Sequence, residues 1–282
     1  MKSSIIQRLF LFSIVVSGCA SSSKTGITQR SIWEDTSAIL NNTGGEVQNL
    51  SLQQIKDVLI ANNSKLATLK AKARITLTAP ELNGPVTCTG FIVYETPGHL
   101  RTIGSKLATT IFDMSTDGNN FRVYVPSEKK VFMGSCSTLH RKNSAETGIS
   151  PEDMARLFNL KDILGDESTV LEIWPHYWVV HAVDTTEGKI NLKGKLLIDR
   201  INADTFRCET FNPDGSVRLQ AVFTNYSTFE YCRLPQRIDV RWPSRDASIG
   251  ITLSEIIINS QLDPKIFTPA MPNDAEIVHL EN

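Results

Sequence analysis

The sequence has no long hydrophobic run. "LFLFSIVV" from Leu9 to Val16 is eight residues long, far short of the ~20 that a membrane-spanning helix needs, and no later stretch exceeds it by enough to cross. It has no excess of basic residues either. Lys and Arg number 29 against 30 Asp and Glu, so a nucleic-acid partner is not expected, because phosphate binding calls for a strong positive balance. Chemistry-bearing motifs are missing too: there is no G-x-S-x-G, no Walker loop and no H-E-x-x-H. No two cysteines have CxxC spacing, which removes the redox motif, and no His or Cys cluster has the short spacing of a zinc site. His176 and His181 in "HYWVVH" are five apart, and on a strand they would face opposite sides. "SEKK" at 127–130 meets the S-x-x-K pattern without its companion motifs. Neither an enzyme nor a cofactor is expected. A lipid-active hydrolase ranks lowest among the readings, since it would need Ser or Asp beside His in a cleft.

What the chain does have begins at its N-terminus. Lys2 and Arg8 precede the apolar run, and "VSGC" at 16–19 follows it. This is the layout of a secretory signal. A general export signal needs only small residues at its cut; the cysteine has the place of the lipidated residue in a bacterial lipobox, with Val16 where Leu is commoner. Residues 1–18 are therefore expected to be a lipoprotein signal peptide and Cys19 the lipidation site. Each buried CH₂ of an acyl chain adds about 0.8 kcal/mol, so several chains would anchor the protein firmly. The cut takes away Lys2 and Arg8 and leaves 27 basic against 30 acidic residues. Residues 19–49 begin with the small, polar "ASSSKTGITQRS" and continue to the loop "NNTGGEVQN", reading as a tether. The expected place is the bacterial cell envelope, on the outer membrane and facing the periplasm; Ala20 rather than Asp after the cysteine agrees with that sorting. Four other cysteines remain, Cys88, Cys136, Cys208 and Cys232. In an oxidising compartment they allow three pairings. A Cys208–Cys232 disulfide and buried reduced thiols are both open.

With 41% apolar residues the chain can bury a core. "SLQQIKDVLIANNSKLATLK" opens with Ser51 and Gln54 in capping-box spacing and puts Leu52, Ile55, Val58 and Leu59 on one helical face. A break falls at Asn62-Asn63. From residue 70 the period becomes two, with Ala71, Ala73, Ile75, Leu77 and Ala79 alternating with polar side chains. Further strand-like runs are separated by "LNGP", "TPG", "TDGNN" and "PSEK", the turn signals of an antiparallel meander. "SPEDMARLFNLKDILG" interrupts it as a helix, with Ser150 as N-cap, Pro151 at the first position, Asp153 completing a box and Gly165 as the stop. Strands then resume until a proline-rich tail at 263–282. The expected fold is mainly β: a strongly curved antiparallel sheet of about 11 strands, a half-open barrel, with helices covering the concave face.

This order of elements, on a lipobox-bearing chain, resembles the LolA/LolB-like lipoprotein-carrier superfamily, and its lipid-anchored LolB-like members most. The resemblance spans about 50–262 and rests on "KARITL", "GFIVYE", "HLRTIGSKLATTIFDM", "ISPEDMARLFNLKDILG", "LPQRIDVRW" and "ITLSEIIIN". It implies a greasy hollow that takes acyl chains of lipoproteins or lipids, and a periplasmic carrier protein as partner. The strand and helix faces turned toward that hollow put Ile75, Leu77, Ile92, Phe112, Met114, Leu157 and Phe158 forward as its lining. LolB-like members also carry an exposed leucine in a membrane-insertion loop of the type N-P-L-G-S-T. "SKLATT" puts Leu107 in that place, with Lys106 for the proline and Ala108 for the glycine. The rival reading is an envelope interaction protein, a sensor or assembly factor, with the same fold and a filled core.

Overall fold

A computed structural model describes residues 45–80, 82–136, 150–164, 168–185, 190–270 and 272–280. Cys19, most of the tether and Gly165 lie outside these residues. The first helix among the described residues is α1 (Leu52–Ser64), which runs through Asn62-Asn63, the place of the expected break, and ends with Lys65 as its C-cap. Its capping box is formed: the Ser51 hydroxyl accepts from Gln54 N–H at 3.3 Å, and the Gln54 carboxamide accepts from Ser51 N–H at 2.8 Å. Six strands follow, β1 (Thr68–Thr78), β2 (Val86–Glu95), β3 (His99–Lys106), β4 (Thr109–Asp117), β5 (Asn120–Val125) and β6 (Lys130–Ser135). Two short helices, α2 (Pro151–Arg156) and α3 (Lys161–Leu164), then lead to β7 (Ser168–Ile173), β8 (Tyr177–Asp184), β9 (Asn191–Asp199), β10 (Thr205–Phe211), β11 (Val217–Phe229), β12 (Cys232–Trp242) and β13 (Ala247–Ile258).

Each set of strands is an up-and-down meander. The two join where β1 pairs antiparallel with β13, Ile75 opposite Ile251 on one side and Cys88 on the other. The result, among the described residues, is one curved, unclosed sheet of fourteen strands, a half-open barrel. The link from β6 to β7 has to travel from one sheet edge to the other, and α2 and α3 lie on that link. The last strand, β14 (Glu276–His279), pairs parallel with β6 and covers that edge, which would otherwise leave a row of backbone groups open to another chain. Two of the strands beyond the expected number of about eleven have a plain origin. "LEIWPHYWVVHAVD" is a hairpin, β7 and β8, turning at Trp174-Pro175-His176; a proline has no N–H to give to a ladder. The tail also contributes β14, too short for any period to register.

Binary patterning places the core. On β1 the residues Leu69, Ala71, Ala73, Ile75 and Leu77 are buried while Lys72 and Arg74 are exposed. One cluster runs beneath both meanders and includes Ile55, Ile75, Ile92, Trp178, Leu196, Phe223 and Ile251. A side chain as buried as Ile75, at 0% exposure, contributes about 2–3 kcal/mol relative to leaving it in water. The expected box at Ser150 is not formed: the Ser150 hydroxyl makes no cap bond, and the Asp153 carboxylate, which would supply the reciprocal bond, accepts instead from the guanidinium of Arg218 on β11, at 2.7 Å. The helix cover also sits very close to the sheet. A Cβ on Gly194 of β9 would stand 2.6 Å from Cγ2 of Ile163 on α3, so only glycine lets α3 lie there.

Candidate functional site: a hollow beneath the first helix

Helix α1 rests on the sheet through Ile55 and Leu59, both buried, with Leu52 and Val58 partly so. Polar clamps hold the chain at both of its ends. Before it, Arg200 donates from Nε and Nη2 to the Gln48 carbonyl, each at 3.1 Å, and Gln48 N–H donates to the Arg200 carbonyl at 2.9 Å. After it, the Asn259 side chain accepts from Ala67 N–H at 2.8 Å and donates to the Lys65 carbonyl at 2.9 Å. Between these clamps the contacts are mainly apolar.

Under the C-terminal half of α1 the packing is incomplete. A cavity of about 70 Å³ remains between α1, the α2–α3 link and the β11–β12 end of the sheet. Leu59, Leu66, Leu157, Phe158, Leu160 and Phe223 form its apolar walls. Phe158 is set there by stacking on Tyr94, ring centroids 5.3 Å apart; burial pushes the Tyr94 hydroxyl up to about 12. One end is polar. Asp204, Thr205, Tyr226 and Arg233 reach it from β10, β11, β12 and the turn before β10.

Of the seven residues put forward as lining, Leu157 and Phe158 line this cavity. Ile75, Leu77, Ile92, Phe112 and Met114 do not. They lie between 0% and 8% exposed within the continuous core under β1, β2 and β4. Side chains fill that part of the concave face, with Gly104 allowing the Phe112 ring to lie against it.

Leu107 stands at the opposite extreme, 93% exposed. It and Ala108 form the two-residue turn of the β3–β4 hairpin, with Lys106 paired to Thr109. Both have positive φ, 49° and 63°. Tight hairpin turns want that geometry and normally fill it with Asn or Gly; an ordinary L-residue gives up about 1–2 kcal/mol there. The loop thus holds an apolar side chain in water on a backbone that disfavours it.

The cysteines correct one expectation. Cys88, Cys136, Cys208 and Cys232 are all buried and all free, so the Cys208–Cys232 disulfide is not formed. Cys208 pairs with Ala221, and Ala221 with Val240. Cys232 lies eight positions before Val240 on the same strand, roughly 27 Å along it at about 3.4 Å per residue, well beyond bonding reach. Burial raises the Cys88 and Cys136 thiols to about 11. The histidines are apart as well: His176 is in the β7–β8 turn, and His181 Nε2 meets the Glu172 carboxylate at 3.1 Å.

No protein-family model and no curated protein matches the chain. Its likeness is to solved structures. One is a protein of the family DUF1329 from Desulfovibrio piger, 11% identical, TM-score 0.56, covering 77% of this chain and 96% of its own. Another is a LolA superfamily protein from Nitrosomonas europaea, 15% identical, TM-score 0.54, covering 78% and 99%. A third, from Vibrio parahaemolyticus, is described as an outer membrane lipoprotein-sorting protein domain; it is 11% identical, with TM-score 0.54 and coverage of 76% and 94%. At these identities the likeness concerns the fold. The half-open sheet of this chain is thus a fold it shares with solved structures that include a LolA superfamily protein and a lipoprotein-sorting domain.

Proposed function

We propose that the protein is a lipid-anchored component of the bacterial envelope, held through Cys19, which takes acyl chains of lipoproteins or lipids beneath α1 and helps localise them at the outer membrane. The observation that carries this reading is the apolar cavity between α1 and the sheet. At about 70 Å³ it is half the size of a hollow that holds one benzene ring, about 150 Å³, and well below the ~300 Å³ of small ligand pockets. Occupation by an acyl chain therefore requires α1 to move outward. The helix suits that task, because it buries fully only Ile55 and Leu59. Leu107, exposed at the hairpin tip, is the residue that would enter the acyl layer of the receiving membrane. A periplasmic carrier is the expected donor of the client.

The tight packing of Ile75, Leu77, Ile92, Phe112 and Met114 favours the second reading, an interaction protein with a filled core. Native mass spectrometry of the protein purified from its host separates the two. Carriage predicts a retained species of acyl-chain mass that is lost on Leu59→Trp, which fills the hollow. Protein that never retains hydrocarbon, even after exposure to lipid vesicles, rejects carriage and leaves the interaction role.

A further inference from the structure

The polar end of the cavity has a geometry that a purely hydrocarbon site does not need. Arg233 is fixed from two sides. Its Nε donates to both carboxylate oxygens of Asp204, at 2.8 and 3.0 Å, and its guanidinium lies over the Tyr226 ring, 5.7 Å from the centroid. Tyr226 is itself fixed, since its hydroxyl donates to the Thr205 carbonyl at 2.6 Å. The pair with Asp204 uses only the Nε position. The Nη1–Nη2 fork makes no hydrogen bond among the described residues, and the Arg233 side chain is 39% exposed, so the fork is reachable at the cavity mouth. That fork matches the two oxygens of a carboxylate or phosphate, which a lysine would meet only as a point charge. A second polar group lines the same cavity. The Thr205 hydroxyl is buried on the cavity lining without a hydrogen-bond partner, and an unpaired buried hydroxyl is costly unless something arrives to pair with it.

We infer that the site reads the head of its ligand: it takes a single-chain amphiphile whose acyl tail enters the hollow beneath α1 and whose oxyanion, carboxylate or phosphate, lies on the Arg233 fork with the Thr205 hydroxyl beside it. The inference rests on the acyl-binding reading above and narrows it from hydrocarbon in general to an anionic amphiphile. Asp204 has two parts in it. It aims the guanidinium by holding Nε, and it keeps the empty site close to neutral, so that selectivity comes from the direction of the fork rather than from bulk positive charge.

The test uses the full chain in a non-ionic detergent and three probes with comparable tails: palmitate, lysophosphatidic acid and methyl palmitate. Binding is followed by native mass spectrometry. At least one anionic probe is expected to bind about tenfold more tightly than the neutral ester, the factor that a charge-assisted hydrogen bond supplies. Preference for palmitate alone assigns the head as carboxylate, preference for lysophosphatidic acid alone as phosphate, and preference for both leaves the fork as a general oxyanion site. Arg233→Met is expected to bring the anions down to the level of methyl palmitate while the ester binds as before. If that variant does not fold because Asp204 is left without its partner, the double variant Arg233→Gln/Asp204→Asn removes both charges together and must give the same loss of preference. Equal binding of all three probes, unchanged in the variants, overturns the head-reading site and leaves acyl binding standing. Binding of none of the three overturns both.

Discussion

Asp153 on α2 and Arg218 on β11 meet at 2.7 Å with only 6% and 16% of their side chains exposed. They are 65 residues apart in sequence, and they fasten the helical cover to the sheet. The pair also engages the Asp153 carboxylate that would otherwise supply the reciprocal half of a capping box at Ser150.

A buried pair punishes loss of one partner more than loss of both. Arg218→Met is expected to destabilise the protein by about 3 kcal/mol, through the unpaired carboxylate it leaves behind. Arg218→Met/Asp153→Leu should recover most of that loss. Urea unfolding of the three proteins checks the prediction, and equal destabilisation by single and double variants would contradict it.

Gly194→Ala tests the contact between the cover and the sheet. The added methyl would meet Ile163 at 2.6 Å, an overpacking expected to cost about 1–3 kcal/mol. Ile163→Ala in the same chain makes room, so the double variant should be more stable than the sum of the two single changes implies.

Leu107 separates stability from function. Leu107→Asn with Ala108→Gly suits the positive φ of both positions and should raise the unfolding free energy by about 1–2 kcal/mol. Leu107→Glu should leave the fold and retained lipid unchanged while delivery of clients to the membrane fails. Normal client localisation in a Leu107→Glu strain would remove the leucine from the mechanism.

The buried thiols give a pH dependence. Burial raises Cys88 and Cys136 from 9.0 to about 11. A group with a raised folded value favours folding fully below its unfolded value and stops doing so as pH climbs through the folded one. Stability should therefore fall between about pH 9 and 11, and Cys88→Ala should flatten that part of the profile. At pH 8 a thiol reagent should modify neither residue in the native protein and both in denaturant.

Alternation at Leu69–Leu77 and the capping box at Ser51 and Gln54 were enough to read most of the sheet and the first helix from sequence. Pro175 carried the signal for the β7–β8 turn, but the apolar residues around it read through as one strand. "EIVH" in β14 is too short for a pattern and is recruited by the open edge of β6. The hollow was harder to read. Periodicity tells which face a side chain takes, and it put Ile75, Phe112 and Met114 inside correctly. It does not tell where packing falls short. That is decided by how α1 crosses β11 and β12, and the polar end of the gap comes from Asp204 and Arg233, 29 residues apart, a pairing no local pattern records.

The pairing of β1 with β13 puts the earliest strand in the middle of the finished sheet, and Ala67 meets Asn259 across 192 residues. A chain made N-terminus first holds β1 to β6 long before β13, the central neighbour of β1, exists. For that interval the face of Leu69, Ile75 and Leu77 is half covered and one edge of β1 is bare. Truncations ending before Ala247 remove the central partner of β1 and should be degraded or aggregate rather than fold as half-domains.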